Sequence, residues 1–153
     1  MKILLAADGT TQSEAAIETL AGFKLSDGDE IKIISIIDMA IPSAISVHSE
    51  FVPATTAEIE RVAREDAAKI LETAERKARG IINNEKVSVL TEIHFGSPDS
   101  RIVETAEKMR ANLIIVGSHG YNRWRRLLLG SVSDSVVHHA PCSVLIVRSQ
   151  KNS

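Results

Sequence analysis

Five short runs rich in Ile, Val and Leu are separated by amphipathic stretches, and this alternation most constrains the fold. The runs are Lys2–Ala6, Ile31–Ile37, Val87–Ile93, Leu113–Val116 and Val144–Val147. The first, fourth and fifth are nearly continuous apolar segments, as expected of strands buried on both faces. In the third, Val87, Val89, Thr91 and Ile93 fall on one side of an alternating pattern, which predicts a strand at the sheet edge.

The intervening stretches read as helices. Thr11 with Glu14 forms a capping box ahead of Ala16, Leu20 and Phe23, and the Ser26-Asp27-Gly28-Asp29 cluster closes that unit. Thr55 with Glu58 opens a long helix whose apolar stripe is Ile59, Val62/Ala63, Ala67, Ile70/Leu71, Ala74, Ala78 and Ile81. Its charges predict the pairs Glu60–Arg64, Glu65–Lys69, Glu72–Arg76 and Glu75–Arg79 on a solvated face. Ser97-Pro98-Asp99 is a helix start, with proline in the first turn. A last helix begins near Ser131 and is stopped by Pro141. The order β-α-β-α-β-α-β-α-β implies right-handed crossovers. The fold class is therefore α/β, a doubly wound five-stranded parallel sheet with helices on both faces.

The 153 residues fit one domain, expected over residues 1–150 with a short tail at 151–153. With a net charge of −2 and five aromatic residues, the chain has neither the positive field nor the stacking surface of a nucleic-acid binder. No apolar stretch approaches a membrane span or a secretory leader, so a cytoplasmic protein is expected. Cys142 is the single cysteine, which excludes a disulfide framework and a thiolate metal site. His138 and His139 are adjacent, and a helix points them apart, unlike metal ligands spaced at i, i+4. The segment Met39–Val52 is long for a connection and reads as a functional flap or mobile loop.

In an open α/β sheet, ligands sit beyond the carboxyl ends of the strands where strand order reverses. The richest segment there is Val116-Gly117-Ser118-His119-Gly120, followed nine residues later by Gly130-Ser131-Val132-Ser133 at a helix start. Glycines at 117 and 120 let main-chain N–H groups approach an anion, and the helix start at Ser131 adds free donors and the positive dipole end. Ser131 and Ser133 offer hydroxyls, and Arg123, Arg125 and Arg126 lie between. The alternative is a glycine turn followed by an ordinary helix cap. Asp8, ending the first run, is placed to accept from a ribose hydroxyl or an adenine amine, with an Asx turn as the alternative. Asp38 ends the second run and reads as a turn residue. The chain has no Walker loop, no G-x-G-x-x-G after the first strand and no G-x-S-x-G elbow.

These residues resemble the ATP-binding branch of the universal stress protein family over nearly the whole chain. The discriminating motif, G-x2-G-x9-G-[S/T], is met by Gly117, Gly120, Gly130 and Ser131. The resemblance implies that Ala6, Asp8, Ile36 and Val116 surround the adenosine portion. It likewise implies that Gly117, His119, Gly120, Gly130, Ser131, Val132 and Ser133 cradle ribose and phosphates. Ala6 departs from a family proline, and Trp124 sits in a loop that is commonly smaller. The ligand implied is ATP, or ADP or AMP, with Mg²⁺ as its usual companion although no carboxylate cage is visible. A homodimer through the last strand, with Val144 and Ile146 at the interface, is implied too, as is a protein partner that the sequence does not identify. The expected function is a stress-response regulator in which the nucleotide orders residues 117–130 and 39–52, with no catalytic residue assigned. Slow ATP hydrolysis or phosphotransfer, and a nucleotide-free interaction dimer, stand as alternatives.

Overall fold

The computed structural model describes residues 1–38, 55–119 and 129–149. Its elements are β1 (Lys2–Ala6), α1 (Thr11–Glu18, tightening into a 3-10 turn over Thr19–Gly22), β2 (Glu30–Ile37), α2 (Thr56–Ile81), β3 (Ser88–Phe95), α3 (Pro98–Met109), β4 (Leu113–Gly117), α4 (Ser131–His139) and β5 (Ser143–Val147). All strand pairs are parallel, in the order β3-β2-β1-β4-β5. The alternating third run is indeed an edge, and the order reverses between β1 and β4.

Strand alternation divides the core in two. Ile3 and Leu5 of β1 join Ile31, Ile33 and Ile115 beneath Ala16, Ile17 and Leu20 and, from α2, Leu71, Ala74 and Ala78. Leu4 points the other way, joining Ile34, Ile114 and Val116 against Ile102, Ala106 and Met109 of α3 and Val136 of α4. Both sets are shielded from water, so both faces of the sheet contribute hydrophobic stabilisation.

Three local expectations are corrected. Thr10, not Thr11, caps α1: its backbone is extended and its side chain accepts from the Ser13 N–H, so the Thr11–Glu14 capping box does not form. The Thr55–Glu58 capping box does form, with both reciprocal bonds. On α2, Glu60–Arg64 and Glu75–Arg79 pair as expected, whereas Glu65 is taken by Arg61 and Lys69 faces Asp66. Finally, Val62 is 43% exposed, although the periodic stripe included it. Helix α2 has 26 residues, about 39 Å at ~1.5 Å per residue, while the eight of β2 span about 26 Å. The first turns of the helix run past the sheet, beyond the strands that bury its later turns.

Candidate functional site

The reversal of strand order opens a crevice between the carboxyl ends of β1 and β4, because the connections leaving them depart to opposite sides. A cavity of about 710 Å³ lies there, within the roughly 300–1,000 Å³ typical of small-molecule sites. Ala6, Asp8, Ile36, Val116, Gly117, His119, Gly130, Ser131, Val132 and Ser133 all line it. Gly120, Arg123, Trp124, Arg125, Arg126 and the segment Met39–Val52 lie outside the described residues.

The geometry reassigns several of these groups. Asp8 forms the Asx turn: one carboxylate oxygen accepts from both the Thr10 N–H (2.9 Å) and the Thr10 hydroxyl (2.6 Å), while the side chain still borders the cavity. Gly117 is glycine because α1 sits against it. A Cβ there would lie 2.8 Å from Gln12 Cβ and 3.1 Å from its carbonyl carbon. The Gly130 N–H is not free either, since it donates to Ser118 C=O at 2.8 Å. A Cβ at Gly130 would stand 3.2 Å from that same oxygen. The buried Ser133 hydroxyl lies 3.0 Å from Ser118 C=O and 3.0 Å from Gly130 C=O, so it ties the end of β4 to α4. Main-chain donors remain at the start of α4, beside the Ser131 hydroxyl on the cavity wall. The first helical bond runs from Asp134 N–H to Gly130 C=O, so the N–H groups of Ser131, Val132 and Ser133 lie ahead of the helical ladder, at the positive end of α4.

A second polar edge comes from the sheet. In β2 the even-numbered residues bond toward β1, as the Ala7 N–H to Ile34 C=O bond marks. Ile36 is the next such residue, and β1 has ended at Ala6. Its N–H and C=O therefore face the crevice where no strand continues.

Sequence reasoning missed the wall contributed by helices. Ala63, Asp66, Ala67 and Ile70 of α2 and Asp99 and Ile102 of α3 line the cavity, as do Ser35, Asp38, Ser97 and Pro98. The length of α2 relative to a strand was the available signal. Asp99 accepts from the hydroxyls of Ser97 (2.5 Å) and Ser135 (2.7 Å), which hold its carboxyl below the ordinary aspartate value of 3.8. Because the folded value is lowered, the associated stability is fully present above pH 3.8 and is lost as pH falls through the lowered value. Ser135→Ala should move the Asp99 pKa upward in a carboxyl NMR titration. An unchanged titration would remove the hydroxyl as a cause.

His119 is the one histidine on the cavity wall among the described residues, and its Nδ1 meets Ser118 Oγ at 3.1 Å. On α4, the Nδ1 atoms of His138 and His139 lie 2.8 Å from the carbonyls of Asp134 and Ser135. Burial pushes the Cys142 thiol up, in keeping with a small packed side chain. Among the described residues no group of three or more His, Cys, Asp or Glu side chains could hold a metal ion, and no helix is long and apolar enough to cross a membrane.

The family model described as the universal stress protein family matches residues 1–148. The chain belongs to the universal stress protein family. A Staphylococcus aureus protein named for the same family is 32% identical over 158 residues, spanning 97% of this chain and 84% of the relative. Among solved structures, the universal stress protein UspA from Lactobacillus plantarum superposes with a TM-score of 0.74 at 22% identity, covering 97% of both chains. An Arabidopsis thaliana family protein with AMP bound gives 0.66 at 18% identity, covering 99% of this chain and 94% of that one. A universal stress protein in complex with cAMP gives 0.69 at 19% identity, covering 98% of each. These likenesses carry the fold, and the two complexes establish adenine nucleotides as ligands of those relatives.

Proposed function

We propose that the crevice of this universal stress protein holds an adenine nucleotide, in first place ATP with ADP and AMP as the alternatives. The chain then acts as a cytoplasmic stress-response regulator whose surface answers to ligand occupancy. The observation that carries this reading is the opening of two unlike groups into one cavity: the N–H groups at the start of α4 and the main-chain edge of Ile36, neither paired among the described residues. An N-terminal helix end favours phosphate through aligned N–H groups and the helix dipole. The Ile36 pair fits adenine, whose N6 amine donates and whose N1 accepts. The Asp8 carboxylate lines the same cavity and can accept from ribose. Mg²⁺ would be held by the triphosphate itself, because the chain supplies no carboxylate cage among the described residues.

Assembly as a homodimer through β5 belongs to the same proposal. The register sends the N–H and C=O groups of Val144 and Ile146 away from β4, as the Ser118 N–H to Val147 C=O bond marks. Such an edge is a template for a second copy.

Native mass spectrometry of the purified protein should reveal a co-purifying adenine nucleotide, and calorimetry should give binding heat for Mg-ATP and AMP. GMP should bind about 100-fold more weakly than AMP, because guanine opposes a donor to the Ile36 N–H and an acceptor to its C=O, about 2.8 kcal/mol of mispaired polar groups. Absence of binding by all three nucleotides would overturn the reading. Equal binding of AMP and GMP would remove Ile36 from it.

A further inference from the structure

The same register argument identifies what faces outward at the opposite edge of the sheet. Even-numbered residues of β3 bond to β2, as Ser88 N–H to Asp29 C=O (2.9 Å) and Gly96 N–H to Ile37 C=O (3.1 Å) mark at its two ends. The main-chain groups of Val89, Thr91, Ile93 and Phe95 therefore point away from the sheet. This eight-residue edge pairs with no further strand among the described residues and, with Leu90 45% exposed beside it, is a template for strand addition.

Two guanidinium groups occupy that template. Arg79 Nη2, from the last turn of α2, donates to Val89 C=O at 3.0 Å. Arg101 Nε, from the first turn of α3, donates to Phe95 C=O at 2.8 Å. The two helices lie on opposite faces of the sheet, so the edge is gripped from both sides. Each arginine is also anchored by an acid of its own helix, Arg79 by Glu75 (2.8 Å) and Arg101 by Glu104 (2.9 Å). The capped carbonyls are six residues apart, about 20 Å at ~3.3 Å per residue, and bracket Thr91 and Ile93. An incoming strand meets a charged donor at each end of that window and must displace charge-assisted bonds to pair beyond it. At β5 the situation differs: among the described residues no side chain is hydrogen-bonded to the outward main-chain groups of Val144 and Ile146.

We infer that Arg79 and Arg101 close the β3 edge against pairing with the β3 strand of a second copy. A chain whose two sheet edges were both open would grow edge to edge without closing, and one sealed edge makes the assembly finite. The inference does not depend on nucleotide binding or on the β5 dimer.

The test removes the donors and keeps the aliphatic stems, in the double variant Arg79→Met and Arg101→Met. In sedimentation velocity across a wide concentration range, the wild-type protein should show no growth beyond its smallest assembly. The variant should add concentration-dependent species of about twice that mass or more. Adding Thr91→Pro to the variant should abolish those species, since this proline deletes an outward N–H and leaves the β2–β3 ladder intact. Hydrogen exchange on the wild-type protein gives a readout that needs no variant: Thr91 and Ile93 amides should exchange equally fast in dilute and concentrated samples. The proposal falls if the double variant sediments like the wild type or if Thr91→Pro leaves the larger species in place. Concentration-dependent protection of Thr91 and Ile93 in the wild-type protein would overturn it as well.

Discussion

Gly130→Val should lower the affinity for Mg-ATP and AMP by about 100-fold or more, equivalent to roughly 2.8 kcal/mol. The backbone at Gly130 is ordinary extended chain (φ −65°, ψ 155°), so the effect does not come from torsional strain. It comes from space. A Cβ would stand 3.2 Å from Ser118 C=O and 3.4 Å from His119 Cα, and the valine methyl groups need more room still. The 2.8 Å bond from Gly130 N–H to Ser118 C=O must then lengthen, and it sets where the first turn of α4 begins. Displacing that turn moves the N–H groups of Ser131, Val132 and Ser133 together, so the loss exceeds that of one contact. Gly22→Ala, whose added carbon meets nothing within 4 Å, is the control and should bind like the wild type. Calorimetric titration of both variants decides the matter; a Gly130→Val protein that binds as tightly as its parent would take α4 out of the site.

Gly117→Val should destabilise the fold by about 3 kcal/mol, the upper end of the usual range for overpacking, because its clash is with fixed atoms. Gln12 Cβ at 2.8 Å and the Gln12 carbonyl carbon at 3.1 Å belong to α1 and cannot rotate away. The helix has to lift off the end of β4, loosening Ala16 and Ile17 against the core. For a chain of this size that corresponds to a melting temperature lower by about 6–12 °C. Gly80→Ala, in the exposed last turn of α2 with open space around it, should shift slightly upward by up to ~1 kcal/mol. A Gly117→Val protein that melts at or above the wild-type temperature would mean that α1 is not seated on Gly117.

The two glycines illustrate what the amino-acid string discloses and what it withholds. Their spacing, with Ser131 at a helix start, located the crevice, since local chemistry at strand ends is written in consecutive residues. What the missing side chain makes room for is a tertiary matter. At Gly117 it is helix α1, and at Gly130 it is the Ser118 carbonyl; neither neighbour is adjacent in sequence. The five strands were legible because Ile, Val and Leu runs have a period and a length, and the edge position of β3 because only one of its faces needed burial. The order β3-β2-β1-β4-β5 was not legible, because periodicity identifies a strand and says nothing of its neighbour. Asp66 and Asp99 escaped notice as cavity residues for a related reason. They sit on helices, and their reach into the crevice depends on how far α2 extends past the sheet and on how α3 is seated.

The division of the interior by β1 has a mechanical corollary. Ile3 and Leu5 belong to one packed layer and Leu4 to the other, so the two layers meet through the backbone of the sheet. The crevice draws on both layers, with Ala7 and Ile70 from one and Ile102 and Val132 from the other. A molecule lodged there would touch both slabs at once, as a rivet passes through the plies of a laminate.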